Sequence, residues 1–172
     1  DEESPAELDI AGVLRKAISL FDGGFTVGGL AGNGDSFVFR DSNGICPAYY
    51  YIDDEVVVSA SERSAIRTVF NVGENEVKEL MPGMGLIVKA DGTILIEKLM
   101  EPGERRACSF ERIYFSRGSD EKIYRERSAL GYNLSAQVLE AIQNDLRNTI
   151  FSFIPNTAEV AFYGLWKGGD DY

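Results

Sequence analysis

The side chains with the most chemistry to offer are two thiols, Cys46 and Cys108, and they come without any histidine. A cysteine nucleophile is commonly activated by a neighbouring imidazole, and a serine nucleophile more often still. The lack of histidine removes those pairs, the commonest general base and most zinc sites. Two cysteines are too few for a disulfide framework and do not complete a metal site on their own. They read as two reduced thiols in a cytosolic protein. A second candidate is the glycine-rich run Gly28-Gly29-Leu30-Ala31-Gly32-Asn33-Gly34, which has the composition of a phosphate-cradling loop. Such a loop must feed a helix whose amides aim at the anion. Here the strand-like Ser36-Phe37-Val38-Phe39 follows, so Asn33-Gly34 reads as the turn of a hairpin. A third candidate is Asn156-Thr157, placed between an apolar segment and a predicted helix. Exposed amides there suit pyrophosphate, and the same residues equally serve as a plain helix cap.

The elements that must position these residues follow from periodicity. Ser4, Pro5 and Glu7 have the order of a capping box, and Leu8, Val13, Leu14, Ala17, Ile18 and Phe21 recur at helical spacing up to Gly23-Gly24. Strands are expected over 25–31 and 36–40, then over 47–52 and 55–60 about Asp53-Asp54. Ser61 is expected to cap a helix carrying Ala65, Ile66, Val69 and Phe70. A last hairpin, 85–89 and 93–99, turns at Asp91-Gly92. Consecutive hairpins make a mainly antiparallel sheet. Glu101 to Arg106 reads as a connector, with Arg105-Arg106 solvated. A long helix from about Ile123 to Leu146 would turn Leu130, Leu134, Val138, Leu139 and Ile142 to one side, with the charges from Asp120 to Arg127 on its surface. Thr149 to Ile154 is expected as a strand, and a helix begins near Ala158. The fold class is α+β, with a first domain over 1–105 and a linker plus the start of a second over 106–172.

Net charge is −11, from 17 basic and 28 acidic residues. That surface repels phosphate backbones and anionic lipid, so neither nucleic acid nor membrane is expected as a partner. No apolar run approaches the roughly 18 residues of a membrane helix. The acidic first residues argue against signal and transit peptides, and a cytoplasmic setting is expected.

Arg40-Asp41-Ser42-Asn43-Gly44-Ile45-Cys46-Pro47 resembles the "R-D-x-x-G-x-x-P" hairpin of class II glutamine amidotransferases. Ser59 to Arg63 resembles their "A-S-E" junction, and Leu80-Met81-Pro82-Gly83 their "x-x-P-G" turn. Cys108 to Arg117, Cys-Ser-Phe-Glu-Arg-Ile-Tyr-Phe-Ser-Arg, resembles "C-x-F-E-x-x-Y-F-A-R", which joins glutaminase to transferase in the amidophosphoribosyltransferases. Phe153 to Ala158 resembles the "P-I-P-E-T-S" loop that opens that family's transferase domain. The order of these motifs, from about residue 22 to 165, points to that family within the class. Cys46 stands where relatives usually carry arginine, and Ser42 where they carry proline.

The resemblance implies the rear half of an N-terminal nucleophile hydrolase (αββα) glutaminase domain. The first helix-strand-helix of an α/β phosphoribosyltransferase domain follows. It implies a purine-pathway enzyme that transfers glutamine-derived ammonia to phosphoribosyl pyrophosphate, with Mg²⁺, in a homo-oligomer. Glutamine and phosphoribosyl pyrophosphate are the implied small-molecule partners. Family members work through a cysteine at the start of the mature chain. The Asp1 start therefore leads us to expect an internal fragment without catalytic residues and inactive alone. Arg40, Asp41, Gly44 and Pro47 are implied as a structural motif, and Asn156 and Thr157 as a pyrophosphate loop. Cys108 matches an iron–sulfur ligand position of some relatives, but a cluster takes about four thiolates and no cofactor is expected in this piece. The alternatives are a natural non-catalytic binding or regulatory module on the same scaffold, and another class II amidotransferase.

Overall fold

The first helix, α1 (Ile10–Ile18), opens at Asp9, whose carboxylate accepts from the Gly12 amide at 2.9 Å. The computed structural model describes residues 8–156 and 158–170, so the expected cap at Ser4, Pro5 and Glu7 lies outside the described residues. Leu14 and Ile18 are buried as their spacing predicts, Ile10 and Ala11 join them, and Val13 instead faces out. The chain divides into two compact units, Asp1–Ser109 and Phe110–Tyr172.

Among the described residues of the first unit, seven strands form two antiparallel sheets. Strands β1 (Thr26–Leu30), β2 (Ser36–Arg40), β3 (Tyr49–Ile52) and β4 (Val57–Ala60) fall where alternation and turn residues put them. Helix α2 (Arg63–Phe70) follows with Glu62, not Ser61, at its N-cap. The two-residue β5 (Lys78–Glu79) carries no periodicity and is invisible to pattern reading. Strands β6 (Met84–Val88) and β7 (Ile94–Lys98) complete the unit. One sheet has the order β1-β2-β6-β7, with Phe39 opposite Gly85 and Val88 opposite Ile94; the other has the order β4-β3-β5.

Alternation along the strands builds two cores, because successive side chains leave opposite faces of a sheet. Phe37, Phe39 and Ile87 pack with Ile10, Ala11, Leu14 and Ile18 of α1 on one face of the larger sheet. Val38, Met84 and Leu86 point the other way and meet Tyr50, Ile52 and Val57 of the smaller sheet, with Ala48 and Leu80. Tyr51, between Tyr50 and Ile52, faces the far side and sets its ring 5.9 Å from that of Phe70 on α2. The layers are thus helix, sheet, sheet, helix. Each buried Ile, Leu or Phe of such a core contributes about 2 kcal/mol over its exposed state.

The second unit contains a π-helical turn (Glu111–Phe115), α3 (Glu121–Ala141) and α4 (Glu159–Asp170). Asp120 caps α3, accepting from the amides of Lys122 at 3.0 Å and Ile123 at 3.2 Å. The helix ends before the expected Leu146 because Gln143 and Asn144 adopt positive φ and reverse the chain. Two expectations fail here. The segment Thr149 to Ile154 is not a strand: it is irregular, although its composition is strand-like. A strand exists only by hydrogen bonding to a neighbour, and among the described residues of this unit no partner strand lies alongside. Phe153 instead packs against Phe162 of α4, ring centroids 4.9 Å apart and the planes tilted by 37°.

The other failure is the inner face of α3. Leu139 of the expected stripe is buried, but it is joined by Ile123, Gly131 and Ser135, while Leu130 and Leu134 are exposed. Backbone contact selects this face. A Cβ on Gly131 would lie 1.7 Å from the Ala161 carbonyl oxygen, and one on Gly164 would lie 2.0 Å from that of Ser128. Small residues let the two helices touch main chain to main chain, so close approach overrides the hydrophobic stripe.

Candidate functional site

Arg40 ends β2, Asp41 follows it, and both are almost wholly buried. A buried ion must have its hydrogen-bonding capacity met. The Arg40 guanidinium donates from Nε to the Cys46 carbonyl at 2.6 Å and from Nη2 to the Gly44 carbonyl at 3.0 Å. Its Nη1 reaches Glu79 Oε1 and the Leu80 carbonyl, each at 2.8 Å. The Asp41 carboxylate accepts from the amides of Asn43 at 3.0 Å, Ile45 at 3.0 Å and Cys46 at 3.3 Å. Gly44 turns the chain at φ 62°, and a Cβ there would stand 2.8 Å from Pro82 Cγ. Pro47 leads into β3, its carbonyl accepting from Thr26 Oγ1 at 3.2 Å. The structure therefore brings Arg40, Asp41, Gly44 and Pro47 into one knot. Its charges are committed to the backbone and to Glu79, so the knot positions chain and does not present a group to a substrate.

Glu79, supplied by the unforeseen β5, is shared: Arg105 Nη2 also donates to its Oε1 at 2.8 Å. Burial opposes ionisation of Glu79, but the Arg40 hydrogen bond and the Arg105 charge outweigh it and hold its carboxyl below the usual range. Arg105 belongs to the connector, which is exposed as the sequence implied and is nonetheless hydrogen-bonded to the first unit. The Gly103 amide donates to the Ser42 carbonyl at 2.8 Å, Arg106 to Asn43 at 2.8 Å and Cys108 to Ile45 at 3.3 Å. Asn43 Nδ2 returns a bond to the Glu104 carbonyl at 2.8 Å. Residues 103–108 thus form a strap along the Arg40–Pro47 hairpin, which accounts for a first unit that ends at Ser109.

The glycine-rich run holds no phosphate loop. Gly28 and Gly29 lie within β1, and a Cβ on Gly29 would meet the Phe37 ring at 2.4 Å. Asn33 shapes the turn, its Oδ1 accepting from the Asp35 amide at 3.1 Å. Asp35 is itself buried, and its carboxylate joins this turn to the next hairpin through the Ala90 amide at 2.8 Å and Lys89 Nζ at 3.2 Å. The Ala90 amide is the main reason its carboxyl titrates below the ordinary value.

In the second unit the charges read as helix surface have structural work. Arg112 grips Glu126 through two bonds, Nε to Oε2 at 2.8 Å and Nη2 to Oε1 at 2.5 Å. Arg127 Nη2 donates to the carbonyls of Ile113 at 3.0 Å and Ser116 at 2.9 Å. Together they hold the Phe110–Arg117 turn onto α3. Asn156 is exposed, and its carbonyl accepts from the Glu159 amide at 3.4 Å as α4 begins. Thr157 lies outside the described residues. An apolar pocket of about 400 Å³, which sequence reasoning missed, opens between α3, residues 146–151 and α4, against Leu139, Ile150, Phe162 and Trp166.

A cluster needs about four thiolates, and Cys46 and Cys108 supply two. Among the described residues no group of three His, Cys, Asp or Glu gathers around a point. The donor set of these residues does not fit an iron–sulfur cluster. No described helix is long and apolar enough to cross a membrane.

No protein-family model matches the sequence, and no curated relative reaches significance. Solved structures do match. One is the glutamine phosphoribosylpyrophosphate (PRPP) amidotransferase from B. subtilis complexed with ADP and GMP, at TM-score 0.71 and 20% identity, covering 95% of this chain and 34% of that one. Another is described as the allosteric regulatory enzyme of purine biosynthesis, at TM-score 0.73 and 21% identity, with the same coverage. The chain therefore has the fold of a region of these enzymes and spans about a third of their length.

Proposed function

We propose that this chain supplies the rear half of the glutaminase domain and the opening of the phosphoribosyltransferase domain of a glutamine PRPP amidotransferase. The carrying observation is the breadth of the likeness, 95% of the chain at TM-score 0.71 to an amidotransferase. The helix-sheet-sheet-helix layering supports the glutaminase half, and so does the Arg40–Pro47 hairpin in its expected place. The Phe110–Arg117 turn leading into α3 supports the junction. The whole protein, in the cytoplasm, would hydrolyse glutamine and pass the ammonia to phosphoribosyl pyrophosphate with Mg²⁺, giving phosphoribosylamine for purine synthesis.

The role of these residues in that reaction is positional. Neither internal cysteine has the free α-amine that an N-terminal nucleophile uses as its base. The 172-residue chain alone should release no glutamate from glutamine, and measurable release would overturn that statement. The whole protein should release glutamate and, given phosphoribosyl pyrophosphate, pyrophosphate. Absence of both activities, with a start codon adjacent to Asp1 in the gene, would favour a non-catalytic module.

Two finer roles belong to the same reading. Asn156 and Thr157 contribute amides to the pyrophosphate, although Glu159 in the first turn of α4 places a like charge close by. Asn156→Ala in the whole enzyme should then raise KM for phosphoribosyl pyrophosphate with kcat little changed. The exposed Leu130, Leu134 and Trp166 drive association with a second copy. Sedimentation showing a monomer over a wide concentration range would refute that.

A further inference from the structure

Cys46 and Cys108 are distant in sequence and adjacent in space. The Cys108 amide donates to the Ile45 carbonyl at 3.3 Å, and that carbonyl belongs to the peptide leading into Cys46. Standard peptide dimensions then hold the two cysteine Cα atoms within about 7 Å of each other. Disulfides join Cα atoms about 4.4–6.8 Å apart. The neighbouring bonds keep the register, through Arg106 to Asn43 and Gly103 to Ser42, both at 2.8 Å. On the hairpin side Cys46 is pinned at both ends, its amide on Asp41 at 3.3 Å and its carbonyl on Arg40 at 2.6 Å. Both cysteine residues are half-buried, and neither is sealed in a core.

We propose that Cys46 and Cys108 are a redox-modified dithiol, closing to an intramolecular disulfide that staples the strap to the hairpin. The oxidant is a small disulfide of the glutathione class. One cysteine thiolate attacks a sulfur of that disulfide, forming a mixed disulfide and expelling one small thiolate. The other thiolate then attacks the protein sulfur of the mixed disulfide, forming the Cys46–Cys108 bond and expelling the second. The two protons lost by the cysteines end on the released thiols, and two electrons pass to the small disulfide. Because the hairpin and strap are already ordered, the bond constrains chiefly the unfolded chain, so the oxidised form is the more stable. This inference stands on the first unit alone and does not depend on the proposed enzyme activity.

The test is to equilibrate the chain in oxidised and reduced glutathione mixtures, block remaining thiols with a maleimide, and map peptides by mass. The expected result is a chain with no intermolecular disulfide and one linked Cys46–Cys108 peptide pair, lighter by two hydrogens. It should melt at least about 5 °C above the reduced form. Cys46→Ser and Cys108→Ala should each abolish both the linked peptide and the redox-dependent shift. A chain carrying glutathione on each cysteine, or disulfide-linked dimers without the internal bond, would overturn the proposal. Cys108→Ala changes only the strap, so it keeps the test open if Cys46→Ser fails to fold.

Discussion

The two units of this chain hold themselves together by different means. The first buries charge with every partner supplied: Arg40 and Asp41 are saturated by backbone groups and Glu79, between two apolar cores. The second buries main chain against main chain at Gly131 and Gly164, and its buried large apolar side chains are Ile123 and Leu139. Leu130, Leu134, Ile150 and Trp166 stay exposed. Apolar burial is the dominant favourable term in folding, so the first unit should be the more stable. The difference shows that a good helix with a clear apolar stripe does not by itself make a core; a second surface has to cover it.

The sharpest way to break the comparison is Asp41→Ala, which strands three amides in the hairpin. It should cost the first unit about 3–5 kcal/mol. Urea unfolding would read this, while hydrogen exchange in α3 and α4 stays unchanged. Gly131→Val does the converse. A Cβ there overlaps the Ala161 carbonyl oxygen, so α3 and α4 should separate, at about 1–3 kcal/mol. Loss of helical circular dichroism with undisturbed exchange protection in β2 and β6 is the expected signature.

A smaller effect is pH-dependent. Glu79 titrates below its ordinary value of 4.5 in the folded chain, so the unfolded chain takes up the proton first as pH falls. The stability it contributes is present above about pH 4.5 and is lost as pH drops through the lowered folded value. Glu79→Gln should flatten that part of the stability–pH curve measured by thermal melts. Leu130→Lys should be the mildest, within about 0.5 kcal/mol on stability because the side chain is exposed. Yet it should weaken self-association in sedimentation.

Much of the first unit was legible from residue order. Hairpin spacing placed β1 to β4, β6 and β7, and Asn33-Gly34 and Asp91-Gly92 named hairpin turns because glycine reaches positive φ without cost. The knot at Arg40–Pro47 was legible as a motif, but its partner Glu79 was not. A two-residue strand has no period, and nothing in the chain near Glu79 announces two arginines. In the second unit Asp120 is a strong N-cap residue that the reading passed over as surface charge. The segment Thr149 to Ile154 has strand composition without a strand, because composition is local and a ladder is not.

Residue order thus dictated local features: where the chain turns and where helices and strands can begin. Those follow from backbone sterics and side-chain spacing within a few residues. Only the tertiary structure decided which surfaces meet. It set Glu79 between Arg40 and Arg105, turned α3 to α4 by its glycines and not its leucines, and laid Cys108 beside Cys46. Contacts of that kind depend on packing between distant segments, and no local preference encodes them.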